Sequence, residues 1–475
     1  MTDPIAWLVL LPLFWAVGAF LLGPGRGAWL AIVGTALQLW LAFDLARKVG
    51  AGGTATHAVG GWGAPLGIDL AADGLSALML LLTQFVALPL FLYARAYFAA
   101  GSAYFWPLAG FLLAGLNALF LSADLFNLYV TLELLGLAAV GLVAAGGGAQ
   151  QVAAALRYLF ATLVGSGIYL LGVALIHGAY GTVSIEMLTP LVHVDAPRAV
   201  WFAAGLMLIG LMLKTALFPF HYWLPPAHGG APAPVSALLS ALVVKASFYL
   251  ILRLWLGPFA ALTTAAAWLP AIMGSAAILW GSWRAIRALR LKELVAYSTV
   301  AQLGYLFLIF PLLGADQLAL QAGGMQVVAH GLAKAAMFAA AGVVIQVTGR
   351  DAVADVAGIA SRLPVTLFAF GLAGITLMGL PPSGGFLAKW LLIDAALVRG
   401  RWELVTVILA GGLLAAVYVF RVLRQAFLPP PSGERRRVAR RPVAMLEWTA
   451  FALAAASVLV GLRGMEIVRL LGAGA

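Results

Sequence analysis

Apolar stretches about 20 residues long follow one another along this chain from its first ten residues onward, and a helix of that length crosses a bilayer core. The chain therefore reads as an all-α integral membrane protein. Composition agrees: of 475 residues, 64% are hydrophobic and 9% charged, with a mean hydropathy of +1.03, far outside the soluble range. Parsing at this length predicts about fourteen spans, near 4–22, 28–47, 73–94, 105–121, 124–145, 153–177, 200–225, 232–254, 268–284, 294–313, 320–347, 364–399, 403–428 and 443–462. The first stretch, IAWLVLLPLFWAVGAFLL, lacks a basic leader and is followed by many like it, so it reads as a span rather than a cleaved signal peptide.

The seventh and twelfth spans are long, and each holds a proline and glycine cluster: LFPFHYWLPPAHGGAP at 217–232 and GLPPSGGF at 379–386. Proline removes a backbone donor, so both are expected to be broken helices whose freed polar groups face a hydrated cavity or buried side chains. The breaks lie five spans apart. An odd number of spans inverts the second copy of a repeat, which predicts two inverted five-helix repeats. The domains are then helices 1–3 over 1–104, a first repeat of helices 4–8 over 105–254, a second of helices 9–13 over 268–428, and helix 14 over 443–475.

Charges recur inside these apolar runs: Lys214, Lys245, Lys334 and Lys389, with one acid, Glu133, in LFNLYVTLELLG. Each costs several kcal/mol at the centre of a bilayer even on lenient scales (roughly 2.5–3.5), so a set of them points to a polar ion pathway. Burial favours a neutral amine and a nearby carboxylate favours an ammonium, so such lysines are suited to change protonation state when a neighbouring charge moves. His330 and Lys334 stand four residues apart on one helix face. A histidine there suits a proton junction, although on its own it would read as the partner of a backbone carbonyl. Snorkelling is the structural alternative for Lys245 and Lys389. Asp73, His221 and His228 read as residues near span ends facing headgroups, Asp124 as a candidate at the end of the polar axis, and Trp106, Trp201, Trp255 and Trp268 as interface anchors.

Basic residues orient the chain. Arg284, Arg287, Arg290 and Lys292, the connection from Arg350 to Arg362, and Arg435, Arg436, Arg437, Arg440 and Arg441 all fall on one side of the parse, which is then cytoplasmic, with both termini outside; Arg47 and Lys48 dissent. The net charge of +11 sits in short loops beside headgroups and is no nucleic-acid signal. With no cysteine, disulfides, iron–sulfur ligation and thiolate zinc sites are excluded, and no cofactor or metal site is expected. No GxxxxGK[ST] loop is present, so the chain is not by itself an ATP-driven pump.

The stretches SADLFNLYVTLELLG, LMLKTALFPFHYWLPPAHGGAPAPVSALLSALVVK, LKELVAYSTVAQLGYL, VVAHGLAKAAMF and GLPPSGGFLAKW cover most of 105–400. They resemble the antiporter-like proton-conducting subunits shared by respiratory complex I, membrane-bound hydrogenases and Mrp-type cation/proton antiporters. The resemblance implies fourteen helices with two inverted five-helix repeats. It places the family's acid of the fifth helix at Glu133, the lysines of the seventh and eighth at Lys214 and Lys245, the histidine and lysine of the eleventh at His330 and Lys334, and the charged residue of the twelfth at Lys389. It implies a switchable pair of Glu133 and Lys214 driving protons along the central axis. Ser240, where relatives of the distal complex I subunit carry histidine, and the compact length favour an Mrp D-type subunit, with a complex I or hydrogenase relative as the alternative. A non-conducting scaffold is disfavoured by the interior charges. The expected partners are other membrane subunits of one complex, protons with sodium or potassium, and lipids, in a bacterial or archaeal cytoplasmic (inner) membrane.

Overall fold

The computed structural model describes residues 3–98, 101–263, 266–314, 317–429 and 443–473. In chain order the helices are α1 (Pro4–Gly52), α2 (Gly74–Tyr97), α3 (Phe105–Leu121), α4 (Leu125–Ala144), α5 (Ala149–Tyr180), α6 (Ile185–Leu188), α7 (Arg198–Thr215), α8 (Leu224–Gly230), α9 (Ala233–Leu238), α10 (Val244–Leu256), α11 (Ala260–Thr263), α12 (Trp268–Arg287), α13 (Leu291–Phe307), α14 (Leu318–Thr348), α15 (Pro364–Met378), α16 (Gly384–Val398), α17 (Trp402–Phe427), α18 (Ala444–Leu459) and α19 (Gly464–Leu471). Strands β1 (Ala55–Ala58) and β2 (Asp69–Ala72) form an antiparallel hairpin between α1 and α2, which hydropathy does not reveal.

Nine helices among the described residues are long and apolar enough to cross a membrane. The first of these is two spans: Gly23 adopts φ 74° just before Pro24, a conformation glycine takes readily and one that proline's missing donor leaves undisturbed. The two arms then run back along each other. A Cβ on Gly27 would meet the Ala19 carbonyl at 2.7 Å, and one on Gly34 the Trp15 ring at 2.6 Å. Adding α3, α12, the α15 and α16 pair, and α18 brings the crossings to about fourteen, as the hydropathy parse expects.

Both breaks are where the proline and glycine clusters place them, and both close in the same way. At the end of α7, Leu217 N donates to Met212 O and Ala216 N to Leu213 O; at the end of α15, Leu380 N donates to Ile375 O and Gly379 N to Thr376 O. These are paired Schellman caps, with the left-handed position taken by Ala216 (φ 59°) in the first and Gly379 (φ 83°) in the second. Trp223 Nε1 donates to the Leu213 carbonyl as a second partner at 2.9 Å, and Ser383 caps α16 by accepting from Phe386 N. Leu239–Val243, which joins α9 to α10, is one wide π-turn; its sequence, LSALV, contains no breaker.

Two of the helices that carry interior lysines, α10 with Lys245 and α14 with Lys334, lie innermost. The apolar windows of Ala233–Leu256 and Leu318–Thr348 are 100% and 94% buried, against 33% for α1 and 39% for α17. Polar groups inside are matched where the backbone is deficient: Pro12 leaves the Leu8 carbonyl without its helical donor, and Asn117 supplies one at 2.7 Å. Asp3 pairs with His57 on the hairpin and Gly74 N, just after that hairpin, donates to Ala473 O, so both ends of the described chain lie at one surface, here the terminal face. Arg290 bonds Asp351 at 2.9 Å, which joins the two basic connections at the opposite, basic face as expected. The expected basic cluster Arg435 to Arg441 lies outside the described residues. Trp106 and Trp255 are not interface anchors: both are buried, Trp106 edge-on against Phe91 and Trp255 against Phe310, because aromatic surface is matched better by other rings than by headgroups.

Candidate functional site: a buried lysine axis

All four predicted lysines are buried, Lys245 and Lys334 completely, so none of them snorkels. Each ammonium finds oxygen partners supplied by the fold. Lys214, in the last turn of α7, lies 3.5 Å from Glu133 Oε1 across to α4. Its closer partner is on α5, where it donates to Ser166 Oγ at 2.6 Å. The approach depends on glycine: a Cβ on Gly210 would strike the Gly165 carbonyl at 2.4 Å, so α5 and α7 touch backbone to backbone one turn from the pair. Glu133 Oε1 accepts no hydrogen bond among the described residues, and the pair is close without being closed.

A small cavity lined by Lys214, Thr162, Tyr158, Trp223 and Ser247 lies between Lys214 and α10, with room for about one water molecule. Thr162 Oγ1 at its wall has no hydrogen-bond partner among the described residues. Beyond it, Lys245 reaches back across the π-turn to donate to Ser240 O at 2.8 Å. The turn thus presents a carbonyl to the lysine; such insertions concentrate at functional positions.

From there an oxygen-rich face of α13 continues the line. Ser240 Oγ meets Thr299 Oγ1 at 2.9 Å, Thr299 donates to Val295 O at 3.1 Å, and Lys334 on α14 donates to the same carbonyl at 3.0 Å and to Ser298 Oγ. One turn on, Gln302 donates to Leu377 O at 3.1 Å. That carbonyl also accepts from Lys389 at 2.7 Å, and Met378 O does so at 3.0 Å. Lys389 therefore satisfies the carbonyl end of α15, where the helix dipole favours a cation, and it lies over the Tyr305 ring at 4.6 Å.

His330 lies one turn before Lys334 and near both Lys334 and Lys245. Neither of its ring nitrogens has a partner among the described residues. Backbone carbonyls accept but cannot pass on protons, so the groups on this line chemically able to hand one on are the lysines, the imidazole and the hydroxyls.

Two expected span-end residues are placed differently. His228 is buried, with Nδ1 3.0 Å from Leu224 O, because α8 folds back into the protein after the break. Asp73 does not face headgroups: it caps α2 and pairs with Arg253. Asp124 caps α4 by accepting from Asn127 N at 2.6 Å, a structural role apart from the lysine line. Ser166, Ser298, Thr299 and Gln302 belong to the line and carry no charge to single them out; their signal is polar residues three or four apart on an otherwise apolar helix.

The chain has relatives among known proteins. Residues 122–415 match the model of the family described as NADH:quinone oxidoreductase/Mrp antiporter, TM. The chain is 36% identical to the N subunit of the NADH-quinone oxidoreductase of Desulforudis audaxviator over 92% of each chain. It is 30% identical to the D-type subunit of the Na(+)/H(+) antiporter of Alkalihalophilus pseudofirmus, over 84% of this chain and 80% of that one. Its fold superposes on a chain of the Mrp complex from Dietzia sp. DQ12-45-1b with a TM-score of 0.92 at 28% identity, covering 100% of this chain and 97% of the other.

Proposed function

We propose a function from one premise: the chain belongs to the NADH:quinone oxidoreductase/Mrp antiporter family of membrane subunits. It is a proton-translocating subunit of a multisubunit cation/proton antiporter, in which sodium or potassium exchanges against protons that move through Glu133, Lys214, Lys245, His330, Lys334 and Lys389. The observation that carries this reading is the line of buried ammonium groups running from α7 to α16, each on an oxygen and with no carboxylate but Glu133 within ion-pair distance among the described residues. Structural roles do not require several desolvated lysines, whose burial is costly; proton transfer does.

Glu133 sits at the edge of the protein. The residues above and below it on α4, Phe126, Val130 and Leu137, are exposed, and a carboxylate on an apolar face suits a neighbouring membrane subunit through which the pair is driven. The matching caps of the two broken helices support the division into repeats at 105–254 and 268–428, flanked by 1–104 and 443–475. The arginines of the basic face support a cytoplasmic position for it, with the termini outside and lipid against the apolar rim.

A second reading has its own observation. The 36% identical relative is a subunit of an NADH-quinone oxidoreductase, so the same axis also suits a redox-driven complex. Vesicles carrying the complete native complex separate the two. If sodium or potassium collapses an imposed proton gradient, and Lys214→Ala and Glu133→Ala abolish the response at normal membrane levels, the antiporter reading holds. If only oxidation of an electron donor builds a gradient sensitive to both variants, the redox reading replaces it. A response indifferent to both variants refutes the assigned pair.

A further inference from the structure

The face of α10 that carries Lys245 continues with Tyr249 and Arg253, each four residues on and therefore stacked along one side of the helix. This column runs from the dry centre to the terminal face, where Arg253 meets Asp73. The guanidinium donates to both carboxylate oxygens, with Nη2 to Oδ1 at 2.9 Å, and Nη2 also reaches Ser76 Oγ at 2.8 Å. Nη2 and Nε both donate to the Tyr249 hydroxyl, at 2.7 and 3.2 Å, and that hydroxyl donates to Phe120 O at 2.8 Å. The Phe120 ring packs edge-on against Tyr249 at 5.0 Å.

Such a column is polar and yet cannot pass a proton outward. A relaying hydroxyl must accept on one side and release on the other. The Tyr249 oxygen already accepts from Arg253, and its hydrogen points at a backbone carbonyl that has no proton to hand on; its other hydroxyl neighbour, Ser76 Oγ at 3.0 Å, accepts from the same guanidinium and so lies under the same fixed charge. Arg253 stays charged at every accessible pH. A proton leaving Lys245 in this direction meets a fixed like charge through a low-dielectric interior, where repulsion is strong.

We propose that Arg253, with Asp73 and Tyr249, is an insulating plug that closes the terminal-face end of the column beneath Lys245, so that protons held there travel along the axis instead of leaking to that face. The plug rests on the axis reading above. Arg253 is a positioning residue in this scheme and takes no part in transfer.

The test is passive proton leak into vesicles carrying the complete complex, with no cation gradient and no electron donor, for wild type, Arg253→Gln and Arg253→Lys. Glutamine keeps hydrogen bonding and removes the charge; lysine keeps the charge and loses the two-pronged contact. The expected result is a leak raised about tenfold in Arg253→Gln, near wild type in Arg253→Lys, and returned to wild type when Lys245→Ala is added to Arg253→Gln. A tight Arg253→Gln in a complex whose driven transport still depends on Lys245 overturns the plug and leaves the axis standing. Equal leak in both variants, or loss of the subunit from the membrane in both, makes Arg253 a clamp between α2 and α10 and overturns the insulating role. Slower driven transport in Arg253→Gln without leak makes the column an outlet, the opposite of the proposal. Driven transport indifferent to Lys245→Ala removes the axis at this position, and the plug with it.

Discussion

Lys214 donates to Ser166 although a carboxylate lies 3.5 Å away, so its ammonium has two alternative partners within a short side-chain rotation. Removing one biases it to the other. Ser166→Ala is expected to draw Lys214 onto Glu133 and slow driven proton movement about tenfold, in line with roughly 1.5–3 kcal/mol for a hydrogen bond to a charged group; an unchanged rate in vesicles with normal subunit levels would show that Ser166 is a bystander. Further along, Thr299→Val removes the hydroxyl that joins Ser240 to the Val295 carbonyl at nearly constant volume. It should slow transport severalfold and destabilise the subunit by about 1–3 kcal/mol, the cost of leaving the Ser240 hydroxyl buried without this partner, which thermal unfolding of the purified complex would register. At this scale the sequence displays the charges and conceals what holds them. A lysine in an apolar run is conspicuous because it is costly there, whereas Ser298 and Thr299 bond their own helix at Val295 O, as serine and threonine do in helices of any function. Only the fold brings Lys334 and Ser240 onto them.

The broken helices turn on their caps. Ala216 occupies the left-handed position that Gly379 fills in the second break, and a Cβ there costs about 1–2 kcal/mol. Ala216→Gly is therefore expected to stabilise the protein by about 0.5–1 kcal/mol after the entropy cost of glycine, seen as a higher unfolding temperature; a lower one would mean that the Ala216 methyl contributes packing that outweighs its backbone strain. The second break is less tolerant. A Cβ on Gly385 would lie 1.8 Å from Thr376 O, so Gly385→Ala forces α16 away from α15 and should displace Lys389 from its two carbonyls. The subunit is expected to be lost from the membrane or to be present without transport, and a fully active Gly385→Ala would contradict the close approach. Both breaks are legible in advance because proline and glycine are written into them. The π-turn at Leu239–Val243 and the hairpin at Ala55–Ala72 are not, since an extra residue per turn and a four-residue strand leave no periodic trace in an apolar or glycine-rich sequence.

Across the whole molecule, helix number and break positions follow from apolar length and prolines. Which lysine faces which oxygen does not follow, because α4 and α7, or α13 and α16, meet only through tertiary packing. The same packing turned Asp73, expected at the headgroups, into the partner of Arg253, and drew His228 inside. In the proposed proton-carrying line of buried lysines, Lys334 is where the two halves join, bonded to α13 between Lys245 and Lys389. The most direct measurement is the rate of driven proton movement in vesicles carrying the complete complex with Lys334→Met, a variant that keeps the length of the chain and removes the titratable amine. A fall of about a hundredfold or more, the scale expected for removing an essential proton-transfer group, with subunit levels unchanged, is the predicted result; a rate within about twofold of wild type would contradict the account.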